Sequence, residues 1–428
     1  MILKLLKNKK KRQLLFALSG VYLTILANYI LHFFGAKSLS LTDYGRLSIA
    51  LSYLAILIMI GQLGLSHAIV KFIGKYQSTN EPKLEKGVIV AGGITITIVS
   101  VIFTVVSSTA FHFLYKSGIK LLDFEILIKA NYSLIPITLT LYIQNIARSY
   151  HYMLLASYPS GVLLPLLSVL SFYLAKNQFE FLTLYIYVAY SLLLFTICSI
   201  LLKEEIRSLF KVKPKFLMKE WTQSSGKILF SVSLNQVLLR GNVLFLSSIL
   251  PADQIGVYSL SARIAQAITI ANRAFNRYWA VLFSKHYNNN DIQRLNRESQ
   301  KSALVSFGMS ALFALILLIW GRNILSIFGP DFISSYTVML MIVLGYLTIS
   351  FFSPSITLLQ MCNQEQAVNR IYVISVIIML VGLSISAPVY GTFGAACVLT
   401  SVLIHNAIHS AIICICKLKC RADPFLTN

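Results

Sequence analysis

Arg263, Gln266, Ile270, Arg273 and Arg277 follow one another at spacings of 3, 4, 3 and 4 residues. On a helix that spacing puts all five on one face. The stripe is 14 residues long, about 21 Å at ~1.5 Å per residue. Three guanidiniums in a row form a graded track for anionic oxygens, because the planar fork of Arg fits phosphate or carboxylate in bidentate fashion. Arg240 lies midway along a neighbouring apolar stretch, with Gln236 one helical turn before it. An Arg at that depth of a bilayer costs about 2.5–3.5 kcal/mol, so it asks for a water-filled cavity, an anionic ligand, snorkelling or a loop carboxylate. The other positions differ. Arg277, two residues before Trp279, suits snorkelling at the inner interface as well as function. Arg263 sits a turn or two below the outer surface, and Arg273 is the best placed to line a cavity.

The complementary chemistry is missing. All fifteen Asp and Glu residues lie in loops or at the ends of apolar stretches. A membrane-embedded hydrolase or glycosyltransferase needs carboxylates beside its substrate, and ion-coupled exporters commonly use one within the membrane. No His/Cys/Asp/Glu group has metal-ligand spacing, Cys414-x-Cys416-x-x-x-Cys420 included, and the six cysteines suit apolar packing or exposed cytoplasmic thiols. No Gly-rich phosphate loop occurs, so ATP hydrolysis by this chain is not expected, and neither is a cofactor.

The elements that carry these residues follow from composition. The chain has 428 residues, of which 57% are hydrophobic and 12% charged, with a formal charge of +22; its mean hydropathy is +0.73. Soluble globular chains are roughly 25% charged. A nucleic-acid partner would account for the charge and not for the hydropathy. Soluble enzymes, nucleic-acid binders and disordered chains are therefore set aside. About 20 apolar residues cross the hydrocarbon layer as a helix, and twelve such spans are predicted: 13–34, 47–65, 88–115, 124–143, 159–174, 181–202, 228–250, 257–280, 303–320, 336–359, 372–388 and 394–416. The ~10-residue alternating strands of an outer-membrane barrel are absent, so the expected fold is an all-α integral membrane protein. The first span is longer than the ~7–15-residue core of a signal peptide and is read as retained.

Basic residues orient the spans. With both termini cytoplasmic, 26 of the 37 Lys and Arg fall inside and seven outside, while Arg240, Arg263, Arg273 and Arg277 remain within or at the ends of spans. The positive-inside rule supports that orientation. Arg148 counts among the inside residues. Loops on the outer side are about a dozen residues or shorter. Within the long cytoplasmic loop 203–227, the stretch Phe210–Trp221 alternates Lys with Phe, Leu, Met and Trp, as a segment on the inner membrane surface does. It divides the chain into lobes 1–212 and 213–428, six spans each. A shift of 211 residues superposes Gly45 on Gly256, Ser48 on Ser259 and Tyr76 on Tyr287, as a duplication would. Two such halves suit a transporter with a central site. Asn28 and His32 share a face of span 1 with Thr24, Gln62 and His67 come next on span 2, Gln144, Asn145 and Arg148 end span 4, and His405, Asn406 and His409 cluster on span 12. Helix–helix hydrogen bonding and cavity lining are the two roles open to each. Asn28 and Asn242 occupy equivalent places in the two halves.

Four motifs in order along the chain carry a resemblance. They are Leu41-Thr42-Asp43-Tyr44-Gly45-Arg46-Leu47 with Gly61-x-x-Gly64-Leu65-Ser66, then Ile255-Gly256-Val257-Tyr258-Ser259-Leu260-Ser261-Ala262-Arg263-Ile264, then Ile327-Phe328-Gly329-Pro330-Asp331-Phe332, and Tyr390-Gly391-x-x-Gly394-Ala395-Ala396. Together the sequence resembles the Wzx-type O-antigen and polysaccharide flippases of the multidrug/oligosaccharidyl-lipid/polysaccharide (MOP) exporter superfamily. The resemblance implies two six-helix bundles around a central, cationic cavity. It also implies movement of undecaprenyl-diphosphate-linked oligosaccharide from the cytoplasmic to the outer leaflet of a bacterial inner membrane, with a polysaccharide polymerase and a chain-length regulator as further partners. Relatives commonly carry an Asp fourteen residues before the Gly of the span-7/8 turn, where this sequence has Asn242, so carboxylate-based ion coupling is not expected there. The expected diphosphate contacts are Arg240, Arg263, Arg273, Arg277 and Arg148. Asn28, His32, Gln62, Gln236, Asn242 and Gln266 are the expected polar lining. Two rival functions are a multidrug exporter of the same superfamily and a membrane polysaccharide polymerase or ligase. Intramembrane arginines without acids weigh against the first, and the short outer loops against the second.

Overall fold

The computed structural model describes residues 9–117, 124–174, 188–197, 199–200 and 212–425. Among them every regular element is helical. Seven helices are long and apolar enough to cross a membrane, or eight if the pair Phe124–Asn131 and Leu134–Ser149, bent by 46°, counts as one span. Other expected spans are divided by breaks or extend beyond the described residues; 181–202 is one of the latter. By contacts the chain forms two compact units, the described parts of Met1–Leu39 with Ala50–Gln236, and of Ser40–Ile49 with Val237–Asn428.

The first unit contains helices α1 (Lys9–Ser38), most of α2 (Leu41–Gln62), α3 (Leu65–Ser78), α4 (Pro82–Lys116), α5 (Phe124–Asn131), α6 (Leu134–Ser149), α7 (Met153–Tyr158), α8 (Leu164–Leu174), α9 (Val188–Ile197) and α10 (Met218–Gln236). A π-helical turn, Pro159–Leu163, joins α7 to α8. The α4 helix shows the inside-out logic of a membrane. Val88, Ala91, Gly92, Ile96 and Ser100 are buried against the unit, while Ile94, Ile98, Val101, Ile102 and Val105 are exposed on the opposite side. An outward face of β-branched apolar residues is stable where the solvent is hydrocarbon. The core at one end gathers Phe72, Ile73, Tyr76, Val88, Tyr142, Ile146 and Trp221.

Residues 203–211 of the expected cytoplasmic loop lie outside the described residues. From Met218 the chain is already helical, ten residues before the expected span 7, because Pro214 is its last breaker and Glu220 favours the N-terminal turn. Before it, the Lys215 amide donates to the Lys83 carbonyl at 2.9 Å. The Lys215 carbonyl passes so close to Gly87 that a Cβ there would stand 1.9 Å away.

The second unit holds the start of α2, then α11 (Asn242–Ser247), α12 (Ala252–Gln266), α13 (Ile270–Asn288), α14 (Ile292–Phe328), α15 (Tyr336–Phe351), α16 (Pro354–Met361) and α17 (Glu365–Ile413). The π turn Val237–Gly241 precedes α11, and the tighter 3-10 turn Ala267–Thr269 separates α12 from α13. Three residues at 3.0 rather than 3.6 per turn rotate the face of α13 relative to α12 by roughly 60°. The expected single face from Arg263 to Arg277 is therefore broken between Gln266 and Ile270. The α17 helix contains both spans 11 and 12. Its two arms fold back at Gly391, whose φ of 56° and ψ of −135° are not helical. Gly382 and Val398 meet across the arms, as do Ser375 and His405.

Candidate functional site

Five elements of the first unit line a partly open cavity of about 280 Å³. From α2 come Ala55, Ile58, Met59 and Gln62. From α6 come Leu141, Gln144, Asn145 and Arg148. Ala156 and Ser160 belong to α7 and the π turn, and Val232 and Gln236 to the end of α10. The polar residues recur every three or four positions on α6, so one face of that helix is polar inside an otherwise apolar bundle.

The side chains form a connected set. Arg148 donates from Nη1 to Asn145 Oδ1 at 2.9 Å and from Nη2 to the Ala156 carbonyl at 3.4 Å. Asn145 donates in turn to the Leu141 carbonyl at 3.0 Å. Ser160 Oγ donates to Gln144 Oε1 at 2.7 Å, reaching across from the π turn. A π turn widens the backbone locally and re-aims the side chains it carries. None of the twelve lining residues is acidic, and among the described residues no carboxylate forms an ion pair with Arg148. Arg148 is itself exposed, so two neutral acceptors hold its guanidinium in place while its remaining N–H groups stay accessible to an anion. Apolar walls from Ile58, Met59, Leu141 and Val232 complete the site.

Of the residues singled out in the sequence, Arg148, Gln62, Gln144, Asn145 and Gln236 meet here. Asn28 donates to the Thr24 carbonyl one turn back at 2.8 Å, and His32 is buried in α1's packing. Asn242 is a packing tie of the second unit. Its Nδ2 donates to the Tyr258 hydroxyl at 3.0 Å and its Oδ1 accepts from the Val243 amide at 2.8 Å. Arg263 is half-buried beside the buried Tyr44 hydroxyl, to which its guanidinium donates. Gln266 is half-buried at the last turn of α12, and Arg240 is half-buried within the π turn. Arg273 and Arg277 lie along α13, and their side chains fall outside the described residues. Near the other end of the second unit, Ser375 donates to Asn406 Oδ1 at 2.5 Å and bonds His405 Nδ1 at 2.9 Å, with the rings of His405 and His409 4.2 Å apart. Among the described residues no group of three His, Cys, Asp or Glu could hold a metal ion.

Cavity lining is one of the two roles the sequence leaves open to Gln144 and Asn145, whereas Ser160 does not stand out in it. The polar run at the end of α6 was a usable signal. Nothing in the sequence marks Ser160, because serine in an apolar helix ordinarily bonds its own preceding turn.

Residues 11–277 match the family described as "Polysaccharide biosynthesis protein", and residues 228–387 match the MatE family. No curated protein matches by sequence. Among solved structures, an inward-facing multidrug resistance MATE family transporter of the MOP superfamily is 13% identical, with a TM-score of 0.73 over 94% of this chain and 99% of its own. The lipid II flippase MurJ in an inward closed conformation is 14% identical, with a TM-score of 0.72 over 93% of this chain and 87% of its own. A MOP superfamily transporter from Pyrococcus furiosus, described with a binding pocket of reversed polarity, is 14% identical with a TM-score of 0.64, over 97% of this chain and 98% of its own. At such identities the likeness is one of fold. With a family match across more than half its length, a MATE-like all-helical fold and at least seven helices able to cross a membrane, the chain is a multi-pass membrane protein and belongs to the polysaccharide biosynthesis protein family.

Proposed function

We propose that the protein is a flippase that moves undecaprenyl-diphosphate-linked oligosaccharide repeat units from the cytoplasmic to the outer leaflet of a bacterial inner membrane, for O-antigen, capsule or another surface polysaccharide. The observation that carries this reading is the acid-free, amide-rich cavity around Arg148, in a chain of the polysaccharide biosynthesis family. A diphosphate cannot cross hydrocarbon bare, and a glycan cannot shed its water there without new hydrogen-bond partners. Arginine supplies the first need and side-chain amides the second. The polyprenyl tail stays in lipid. The lobes 1–212 and 213–428 alternate access to the two leaflets, with both termini cytoplasmic.

In this mechanism Arg240, Arg263 and Arg273 contact the diphosphate, with Arg148 and Arg277 next to it. Gln62 and Gln236 line the path, with Asn28, His32, Asn242 and Gln266 as further polar positions. A polymerase and a chain-length regulator act on the delivered units. The test replaces Arg148, Arg240 and Arg273 by Ala and by Lys in a strain that depends on the gene. Surface polysaccharide falls in the Ala variants at normal expression. Wild-type polysaccharide in every variant overturns the site.

The MatE match over residues 228–387 favours a second reading, a multidrug exporter. A cavity with Arg148 and no carboxylate suits organic cations poorly. A drug-resistance profile of a deletion strain separates the two.

A further inference from the structure

We propose that the cavity of the first unit is a sugar-phosphate subsite, which takes one sugar ring and the phosphate attached to it and recognises the ring through side-chain amides. The inference rests on the flippase reading and specifies which part of the glycolipid this site reads.

The observation behind it is Gln144. Its side chain is 3% exposed, its Oε1 accepts from Ser160, and its Nε2 has no partner among the described residues. A buried amide N–H without an acceptor costs about 1–3 kcal/mol. Such groups are rare in folded proteins, and one that lines a cavity calls for an acceptor from outside.

The lining chemistry narrows what that acceptor is. Gln62, Gln144, Asn145 and Gln236 converge from three helices. Each amide carries both donors and an acceptor. A free phosphate is rich in acceptors and has only one or two P–OH donors near neutral pH, so it would leave most of the amide oxygens facing its own. Sugar hydroxyls donate and accept, which matches the amides group for group. Arg148 keeps further N–H groups beyond those given to Asn145 and Ala156, and no acid among the described residues of the lining competes for them. That provides for one phosphate. Ile58, Met59, Leu141 and Val232 offer an apolar wall to the C–H face of a ring. The volume, about 280 Å³, is on the scale of one pyranose ring with its phosphate. The remainder of a repeat unit would extend out of the cavity, so this subsite selects for the ring nearest the phosphate and is indifferent to the rest.

The test uses the purified full-length protein in detergent and ligand-detected NMR. Glucose 1-phosphate, galactose 1-phosphate and N-acetylglucosamine 1-phosphate are the probes, with inorganic phosphate and glycerol 1-phosphate as comparisons. At least one sugar phosphate is expected to bind about tenfold tighter than inorganic phosphate. Gln144→Leu, and independently Gln236→Leu from another helix, should abolish that preference while phosphate binding persists. Arg148→Ala should weaken every phosphate. The proposal is overturned if no sugar phosphate outbinds inorganic phosphate. Glycerol 1-phosphate binding equally well overturns it too, by making the site one for a phospholipid headgroup, as does retention of the preference by both Leu variants at wild-type thermal stability. Surface polysaccharide in a deletion strain is measured alongside. Undiminished polysaccharide with the expected binding removes the flippase reading and leaves the subsite standing. Lost polysaccharide with no sugar preference removes the subsite alone.

Discussion

Gly45 and Gly256 pack against each other: a Cβ built on Gly256 would lie 3.2 Å from the Gly45 nitrogen and 2.6 Å from the Leu41 carbonyl oxygen. A Cβ on Gly45 would lie 1.7 Å from the carbonyl oxygen of Ala252. These are the two glycines that the 211-residue shift superposes, so the repeated motif marks a place where α2 and α12 cross backbone to backbone.

The crossing sets a steric prediction. Overpacking costs about 1–3 kcal/mol in cores that can adjust, and a helix carbonyl adjusts less than a side chain. Gly45→Ala and Gly256→Ala should each lower the unfolding midpoint in detergent and reduce transport. Gly74 lies in a helix with nothing within 4 Å of its added Cβ. Gly74→Ala should be neutral or stabilising by about 0.5–1 kcal/mol. Equal midpoints for all three variants would show that the crossing is loose.

A second prediction concerns the stretch of chain that leads into α10. Trp221 Nε1 donates to the Tyr76 hydroxyl at 2.8 Å, and both side chains are fully buried. Trp221→Phe removes the donor and leaves a void, for an expected loss of about 2–4 kcal/mol. Tyr76→Phe strands the indole N–H and should cost about 1–3 kcal/mol. The adjacent Lys75–Glu220 pair, at 2.8 Å, is well exposed on both sides. Water screens it, so Glu220→Gln should leave the unfolding midpoint where it is.

Gly391 provides a third. With φ of 56° and ψ of −135° it turns the two arms of α17 back on each other. A side chain there is strained by about 1–3 kcal/mol whatever space surrounds it. Gly391→Ala should reduce the folded yield in membranes, whereas Gly308→Ala, where an added Cβ meets nothing within 4 Å, should not. Fluorescence size-exclusion chromatography of tagged variants reads both.

The legible part of the sequence reflects physics that acts locally. Hydrophobic runs show helices because lipid forbids anything else, and Gly391 and Gly45 stood in recognisable motifs because only glycine fits there. The arginine stripe was legible as a spacing, but the 3-10 turn at Ala267–Thr269 that rephases it carries no glycine or proline to announce it. The cavity was half legible. Arg148, Gln62 and Gln236 stand out as polar residues in apolar surroundings, while Ser160 matters through a π turn, and Gln144 through what it fails to bond. Both depend on how distant helices meet, which no single segment encodes. Asn242 stands out in the same way as a polar residue inside a span, and its bond to the Tyr258 hydroxyl depends in turn on how α11 meets α12.

The last prediction is chemical. Burial pushes the Cys362 thiol up to about 12, with the nearby Cys420 thiol adding to it, and burial pushes Cys420 itself to about 11. The thiolate is the reactive form, so at pH 8 about one molecule in a thousand or fewer carries it at either position. Cys416, on the same C-terminal stretch, is exposed. N-ethylmaleimide, which crosses membranes, should therefore modify Cys416 within minutes in folded protein and leave Cys362 and Cys420 intact until denaturant is added. Peptide mass spectrometry after a timed quench gives the three rates separately. Comparable rates at Cys416 and Cys420 would mean that the C-terminal turn opens readily, and the packing of Cys362, Cys414 and Cys420 against Leu358 and Ile371 would then not be what holds that end of the second unit together.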